Sequence, residues 1–367
     1  MKTKTDATSI QKLVSKLLKW YGLNYRELPW RATKDPYKIW LSEIILQQTR
    51  VAQGLSYYLK FVKHYPTIDA FAGAPIDDIL KLWQGLGYYS RARNMHKCAN
   101  QIIKEMNGQF PDNYTDLIQL IGIGKYTAGA LASICYDEPV PAIDGNAYRV
   151  YSRLFEIYSD ISIGSTFKEF FELGLSIVPS QNAGDFNQAI MELGATICLP
   201  TNPKCNTCPL NNHCVARSKK VQNLLPVKSK KIKVKNRYFD YLVFIHEGHL
   251  ALHKRKSQDI WQGLYDFLLF ESDKDRKSSI FDILKSSEWG HVELIASSEE
   301  YKHILTHQKL HINFHVVQVT ESKDFKLICQ DNKLEAVHLS DLESLAVPKP
   351  VERFLYQELS EMYNFQT

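Results

Sequence analysis

The chain has no uninterrupted stretch of about twenty apolar residues, so nothing in it reads as a membrane-spanning helix, and no membrane partner is expected. Residues Met1 to Asp6 are charged and polar with no apolar segment behind them, which argues against a secretory leader. Cysteine is scarce: there are seven in 367 residues, and Cys98, Cys135 and Cys329 are scattered with no pairing pattern. A disulfide framework is therefore not expected, whereas a reducing, cytoplasmic setting is. Nor does charge of either sign dominate. The net charge of +5 permits a nucleic-acid partner without demanding one. The sharpest charged run, Lys228 to Lys235, reads either as a solvated linker or as a contact to phosphates.

The other four cysteines are concentrated in one loop. Cys198, Cys205, Cys208 and Cys214 stand at the spacing C-x6-C-x2-C-x5-C. Four thiolates this close in sequence can converge on one metal centre, and soft sulfur selects zinc or an iron-sulfur cluster over magnesium or calcium. Structural zinc sites usually show two C-x2-C-like pairs, whereas here a lone C-x2-C is flanked by wider gaps. The spacing favours iron-sulfur and leaves zinc as the alternative. Pro200, Pro203 and Pro209 restrict the backbone, which suits a loop wrapped around a cluster.

Before the basic run, helical periodicity dominates: Ile10, Leu13, Leu17 and Leu18 form one apolar stripe, and Leu41, Ile44 and Ile45 begin another. After it, Tyr238 to Ile245 and His311 to Val319 read as strands, with Glu247-Gly248 as a hairpin turn. Helical patterns return at Ile280 to Leu284 and Val351 to Tyr363. The organisation is thus an all-α region to about residue 222, a basic linker and a smaller α/β domain.

Three places in the α region carry chemistry. Gly122-Ile123-Gly124 makes a tight turn opening a helix from Lys125 to Ile134. Two glycines there leave backbone N–H groups unshielded, which makes an anion site at a helix N-terminus; a plain helix-helix turn is the other reading. Glu43 lies in a strongly apolar helical segment, Trp40 to Gln48. Burial there would raise its pKa and keep a proton ready to donate, unless it faces solvent on a polar helix face. Asp144 directly precedes a helical run, so it is expected as an N-cap, ionised by the helix terminus.

The hairpin and the cysteine loop together resemble the endonuclease III superfamily of DNA repair glycosylases. More narrowly, Ser42-Glu43-Ile44, Gln47-Gln48-Thr49, Gly122 to Ala128, Ile143-Asp144-Gly145-Asn146 and the cysteine loop resemble adenine DNA glycosylases, which remove adenine mispaired with 8-oxoguanine. The resemblance covers almost the entire chain. It implies a multidomain fold: an all-α helix-hairpin-helix core followed by an α/β Nudix-like domain. The expected division is a six-helix barrel with the hairpin at 29–136, an iron-sulfur domain from 1–28 and 137–222, a linker at 223–236, and the Nudix-like domain at 237–367. It also implies a [4Fe-4S] cluster on the four cysteines, a monovalent cation held by the hairpin carbonyls, and a monomer acting on double-stranded DNA that contains an adenine mispair.

Residue roles follow by the same resemblance. Glu43 protonates adenine and later helps activate water, Asp144 stabilises or bonds the cationic sugar, and Tyr126 and Asn146 align Asp144 and the sugar. Arg26, Trp30, Arg31 and Gln188 line the adenine pocket. Gln48 and Thr49 fill the gap left by the extruded base, and Leu86 and Tyr88 form a wedge loop. Gly122, Gly124 and Lys125 contact phosphate. Endonuclease III itself, a bifunctional glycosylase and lyase, is the rival reading; its catalytic lysine follows the hairpin, where this chain has Tyr126, and a phenol cannot form an imine. A pyrimidine-mismatch glycosylase would keep the chemistry and change the pocket. The Nudix resemblance rests on Trp261 to Phe267, but Asp273 to Lys285 lacks the glutamate cluster that holds magnesium in Nudix hydrolases. Recognition of 8-oxoguanine is the implied role, through Thr306 and His307 of the loop Leu305-Thr306-His307; a polar turn between strands is the alternative.

Overall fold

The computed structural model describes residues 7–229, 233–256, 259–272 and 280–363. The middle of the basic run, the beginning of the Asp273 to Lys285 stretch, and both chain ends lie outside the described residues. The chain divides into two compact units: Met1–Gly73 with Asn94–Lys230, and Ala74–Arg93 with Lys231–Thr367. Residues 74–93, expected within the barrel, group with the C-terminal sheet.

The first unit is helical. Helix Ala7–Asn24 buries Leu13 and Leu17, with Ile10 and Leu18 partly covered, so the apolar stripe becomes a packed face. These side chains join Val150, Tyr151 and Leu154 of helix Gly145–Leu154 and Phe186, Ile190 and Leu193 of helix Ala183–Thr196 in one core. Helix Pro36–Leu46 starts where Asp35 accepts from Tyr37 N–H at 3.0 Å, with Pro36 in the first turn. It buries Ile39, Trp40, Leu41, Ile44 and Ile45, which leaves one narrow strip for Glu43. The hairpin helix spans Lys125–Tyr136 with Gly124 as its N-cap. Among the described residues no helix is long and apolar enough to cross a membrane.

Among the described residues the second unit is built on an eight-stranded sheet: β1 (Lys235–His246), β2 (His249–Lys254), β3 (Tyr265–Asp266), β4 (Leu268–Ser272), β5 (Val292–Ser297), β6 (Tyr301–Ile304), β7 (Gln308–Val319) and β8 (Glu335–His338). The order β3-β2-β1-β7-β5 is mixed, since β1 and β7 run parallel while β2 and β4 pair antiparallel with β1. Glu247 and Gly248 both take positive φ, as a tight hairpin turn between β1 and β2 requires. Leu242, Phe244 and Val317 pack one face against Phe325 and Ile328 of helix Ser322–Asp331. On the other face Tyr241, Phe314 and Phe354 form a stacked series, the last two with ring centroids 4.3 Å apart.

Candidate active site

A cavity of about 580 Å3 opens in the first unit, within the size range of small-molecule sites. Its walls carry Arg26, Trp30, Arg31, Glu43, Gln48, Thr49, Tyr126, Asp144, Asn146 and Gln188, so residues dispersed over more than 160 positions share one recess. Glu43 faces this cavity from the apolar helix Pro36–Leu46 and is otherwise enclosed by protein. Burial pushes its carboxyl up to about 7; the hydrogen bond from Tyr126 opposes the rise, and Asp144 nearby adds to it. The Tyr126 hydroxyl donates to Glu43 Oε2 at 2.5 Å, and Met191 Sδ lies 3.2 Å from the Tyr126 hydroxyl oxygen. Tyr126, expected to align Asp144, hydrogen-bonds Glu43 from the first turn of the hairpin helix, with Asp144 close enough to act on its hydroxyl electrostatically.

Asp144 is the N-cap of helix Gly145–Leu154: its Oδ1 accepts from Ala147 N–H at 2.7 Å, and its Oδ2 from Asn146 Nδ2 at 2.7 Å. Asn146, expected to align Asp144, is thus within hydrogen-bonding distance of it. The capping geometry does not by itself fix a freely ionised aspartate. Burial raises the Asp144 pKa above its usual range even though Ala147, Asn146 and Arg149 all favour the anion. Arg149 in turn donates to Asn146 Oδ1 at 2.7 Å, Gly194 O at 2.8 Å and Cys198 O at 2.7 Å. Gly194 is needed there, since a Cβ would lie 2.5 Å from Asn146 Cβ. The segment before Asp144 is held by buried Asn187, which accepts from Ala142 N–H at 3.0 Å and donates to Val140 O at 2.8 Å.

Arg26 and Arg31 do reach the cavity, but their guanidinium groups converge on Glu192. Arg26 grips it bidentately, both bonds at 2.7 Å, and Arg31 adds a third at 2.6 Å. Glu192 is completely buried; burial pushes its carboxyl up, but the two guanidinium groups outweigh this and hold it below the usual range. Trp30 is 7% exposed and packs edge-on against Tyr58 at 5.0 Å, so only part of it faces the cavity. Sequence reasoning missed Glu192, Met191, Asn187 and Arg149. Glu192 carried the same signal as Glu43, a lone carboxylate in an apolar helical run.

At the hairpin, Gly122 has φ +76°, and a Cβ there would meet Asn94 Cβ at 2.8 Å, so the turn requires glycine. Lys125 is exposed, with its Nζ 4.5 Å from the centroid of the Phe167 ring. Gln48 is exposed with φ +59°, an uncommon conformation for a non-glycine residue at a cavity rim.

The cysteine loop gives a mixed result. Among the described residues no group of three or more His, Cys, Asp or Glu side chains forms a set that could hold a metal ion as it stands. The four cysteines nevertheless share one neighbourhood: burial pushes the Cys208 thiol up to about 12, and Cys198, Cys214 and Cys205 add to the rise. Against that rise stand a few donors. Backbone N–H groups of Leu210, Ala216 and Arg217 point at Cys208 and Cys214, and Arg153 Nη1 lies 3.3 Å from Cys198 Sγ.

In the second unit, Leu305-Thr306-His307 forms the turn between β6 and β7, closed by Leu305 N–H to Gln308 O at 2.8 Å, with Thr306 and His307 exposed. The loop at Leu86-Tyr88 belongs to the same unit. Leu86 is buried, whereas Tyr88 is 44% exposed with φ +48°. The Tyr88 hydroxyl is hydrogen-bonded to Thr306 Oγ1, and the Arg91 guanidinium lies over the Tyr88 ring at 5.6 Å. The two sites assigned separately from the sequence therefore meet.

Residues 41–173 match the HhH-GPD superfamily of base excision DNA repair proteins, and residues 240–357 match the NUDIX domain. The chain is 34% identical over 344 residues to an adenine DNA glycosylase of Buchnera aphidicola subsp. Schizaphis graminum (strain Sg), covering 92% of this chain and 96% of that one. The chain belongs to the adenine DNA glycosylase family. Other members include the Arabidopsis thaliana protein, 34% identical over 84% of this chain and 58% of its own, and the Homo sapiens protein, 38% identical over 60% and 42%. Among solved structures, a thermostable thymine-DNA glycosylase is 30% identical with a TM-score of 0.53, covering 58% of this chain and all of that one. A non-covalent endonuclease III–DNA complex, 22% identical with a TM-score of 0.50 over 59% of this chain and 98% of that one, shares the helical fold. The chain is thus a base excision repair glycosylase acting on N-glycosyl bonds of DNA, with a helical core like that of endonuclease III and a Nudix-like domain.

Proposed function

We propose that the protein removes adenine opposite 8-oxoguanine or guanine from double-stranded DNA, by flipping the base and hydrolysing the N-glycosidic bond. The observation that carries this reading is the asymmetric pair of carboxyls in one cavity. Glu43 has one hydroxyl donor on Oε2, which leaves Oε1 to carry a proton toward a bound base. Asp144 has two N–H donors and Arg149 nearby, so of the two it is the better placed to hold negative charge. Adenine is a poor leaving group as an anion; Glu43 protonates a ring nitrogen, N7 in this reading, as the bond breaks, and Asp144 stabilises the oxocarbenium-like sugar or bonds to it. Glu43, then ionised, takes a proton from the attacking water. General acid catalysis of this kind contributes about 10² to 10⁴-fold.

Arg26, Trp30, Arg31 and Gln188 shape the adenine pocket, with Glu192 fixing the two arginines. Tyr126 stands where a lyase would carry its amine, so the enzyme is monofunctional. Gly122, Gly124 and Lys125 take a phosphate, with a monovalent cation at the hairpin carbonyls, while Gln48 and Thr49 hold the space beside the extruded base; Leu86, buried, anchors the wedge loop that carries Tyr88. Tyr88, Thr306 and His307 contact the opposite base; the Tyr88 to Thr306 hydrogen bond supports a shared role. Cys198, Cys205, Cys208 and Cys214 would hold a [4Fe-4S] cluster, which supplies a fixed, thiolate-anchored loop beside Arg149 and Arg153. In this reading the barrel, iron-sulfur domain, linker and Nudix-like domain follow the sequence division except that residues 74–93 group with the C-terminal sheet, and the enzyme acts as a cytoplasmic monomer.

The test uses duplexes with A opposite 8-oxoguanine, A opposite G, and T opposite G, followed by alkali. Scission at adenine alone, with no adduct on borohydride trapping, is expected. Scission at T, or a trapped adduct, contradicts the reading. Visible absorption by purified protein tests the cluster, and a colourless, zinc-bearing protein would refute it.

A further inference from the structure

The reading above assigns recognition to Tyr88 and Thr306 but leaves open what holds Tyr88 in place. The segment that carries it is short: helix Ile76–Trp83, then Gln84 to Arg93, with positive φ at Gly85, Gly87 and Tyr88. The two glycines adopt this region without strain, but Tyr88 does not, and a non-glycine residue held there needs support from its surroundings. Inside the loop, Trp83 Nε1 donates to Gly87 O at 3.0 Å, and Arg91 donates to the same carbonyl at 3.2 Å while lying over the Trp83 and Tyr88 rings.

Outside the loop, the contacts within this unit run to the Nudix-like part. Gln84 is the pivot: its Nε2 donates to Glu352 Oε1 at 2.9 Å, and its Oε1 accepts from Val347 N–H at 3.2 Å. Lys81 Nζ donates to Leu345 O at 3.1 Å, and Lys254 Nζ pairs with Asp77 at 2.6 Å. At the far end Arg93 donates to Gln262 O at 2.6 Å. Gly263, with φ +84°, admits Leu80, since a Cβ there would lie 2.9 Å from Leu80 Cδ1.

We infer that Gln84 and Glu352 are positioning residues for opposite-base discrimination: the Nudix-like part clamps the wedge segment so that Tyr88 and Thr306 meet the opposite base as one preformed surface. This rests on the assignment of Tyr88 and Thr306 to that base. Preorganisation explains why the side-chain amide of Gln84 is used on both sides: a two-point contact fixes both position and rotation of the loop's entry. Plain packing would serve stability without favouring one opposite base over another.

The experiment measures single-turnover adenine excision by full-length protein from duplexes with A opposite 8-oxoguanine and A opposite G, and the ratio of the two rates. Glu352→Ala, which removes one hydrogen bond to Gln84, is expected to lower the ratio about tenfold, and Gln84→Ala, which removes two, at least as much, with the loss expressed only on the preferred duplex. The rate on A opposite G should stay unchanged. Glu352→Gln keeps the Oε1 acceptor and should keep the ratio. An unchanged ratio in both alanine variants, an equal fall on both duplexes, or a Glu352→Gln variant as impaired as Glu352→Ala would overturn the inference. Thr306→Ala and Tyr88→Phe, run alongside, separate the two levels. If they too keep the ratio, the recognition reading fails; if they lose it while the Gln84 and Glu352 alanine variants do not, the clamp alone fails.

Discussion

Helices Pro36–Leu46 and Ala183–Thr196 each bring a carboxylate from an apolar run, Glu43 and Glu192, to the same cavity. Their states are opposite. Glu43 meets a single hydroxyl, and burial lifts its carboxyl to about 7; Glu192 meets two guanidinium groups and is held below the usual range. Burial is common to both, so it does not determine the charge. The partners do: a neutral donor leaves a proton that can be given away, whereas fixed cations make a permanent anion that anchors Arg26 and Arg31. One carboxyl is available for chemistry, and the other is structural.

The largest effect that would break this contrast is on turnover. Glu43→Gln should slow single-turnover excision by about 10² to 10⁴-fold, the usual range for a lost general acid. Asp144→Asn should be impaired comparably while retaining duplex affinity in a gel-shift titration. A Glu192→Gln variant should lose less turnover than either, because its effect passes through the arginines.

Stability should reverse the ranking. Glu192→Gln strands two guanidinium groups and should cost about 3 kcal/mol in denaturant unfolding at pH 8, the low end for buried pairs because Arg26 is 41% exposed. Its carboxyl is held low in the fold, so this stabilisation exists above the unfolded carboxyl range and fades as pH falls through it. Glu43 has the opposite sign. With a folded pKa near 7 against 4.5, its contribution is intact below 4.5 and lost as pH rises toward 7. Glu43→Gln should therefore be more stable than the parent at pH 8, by at most about 3 kcal/mol, and no more stable at pH 4.

How much of this was legible in the sequence follows from the same pair. The cysteine spacing, the Gly122-Ile123-Gly124 turn and the alternation in β1 and β7 are local patterns, and the expected helices and strands stand where they fall. Glu43 and Asp144 were also visible, each as a carboxylate in an unusual local setting. Glu192 had the same setting and was passed over, because what distinguishes the two lies 161 and 166 positions away at Arg31 and Arg26. Tyr126 was identified beside Asp144, but its hydrogen bond to Glu43 was not, since helix geometry fixes the side on which its ring emerges and not which side chain its hydroxyl meets. Asp144 was expected to be freely ionised from its N-cap alone; the depth of the cavity, a property of the assembled unit, raises its pKa. The grouping of residues 74–93 with the C-terminal sheet depends on contacts such as Gln84 to Glu352, 268 positions apart, and had no local signal.

A smaller effect sharpens the contrast. Tyr126→Phe removes the hydroxyl that stabilises the Glu43 anion, so the pH at which Glu43 loses its proton should move upward. The acid form would then persist further into the alkaline range, with little change in rate at low pH.

The most direct test is the pH dependence of single-turnover adenine excision on a pre-bound duplex, in the parent protein and in Tyr126→Phe. The rate should fall as pH rises through about 7 in the parent, and the falling limb should lie at higher pH in Tyr126→Phe. A rate that is flat through this range in both proteins would contradict a neutral Glu43 as the proton donor.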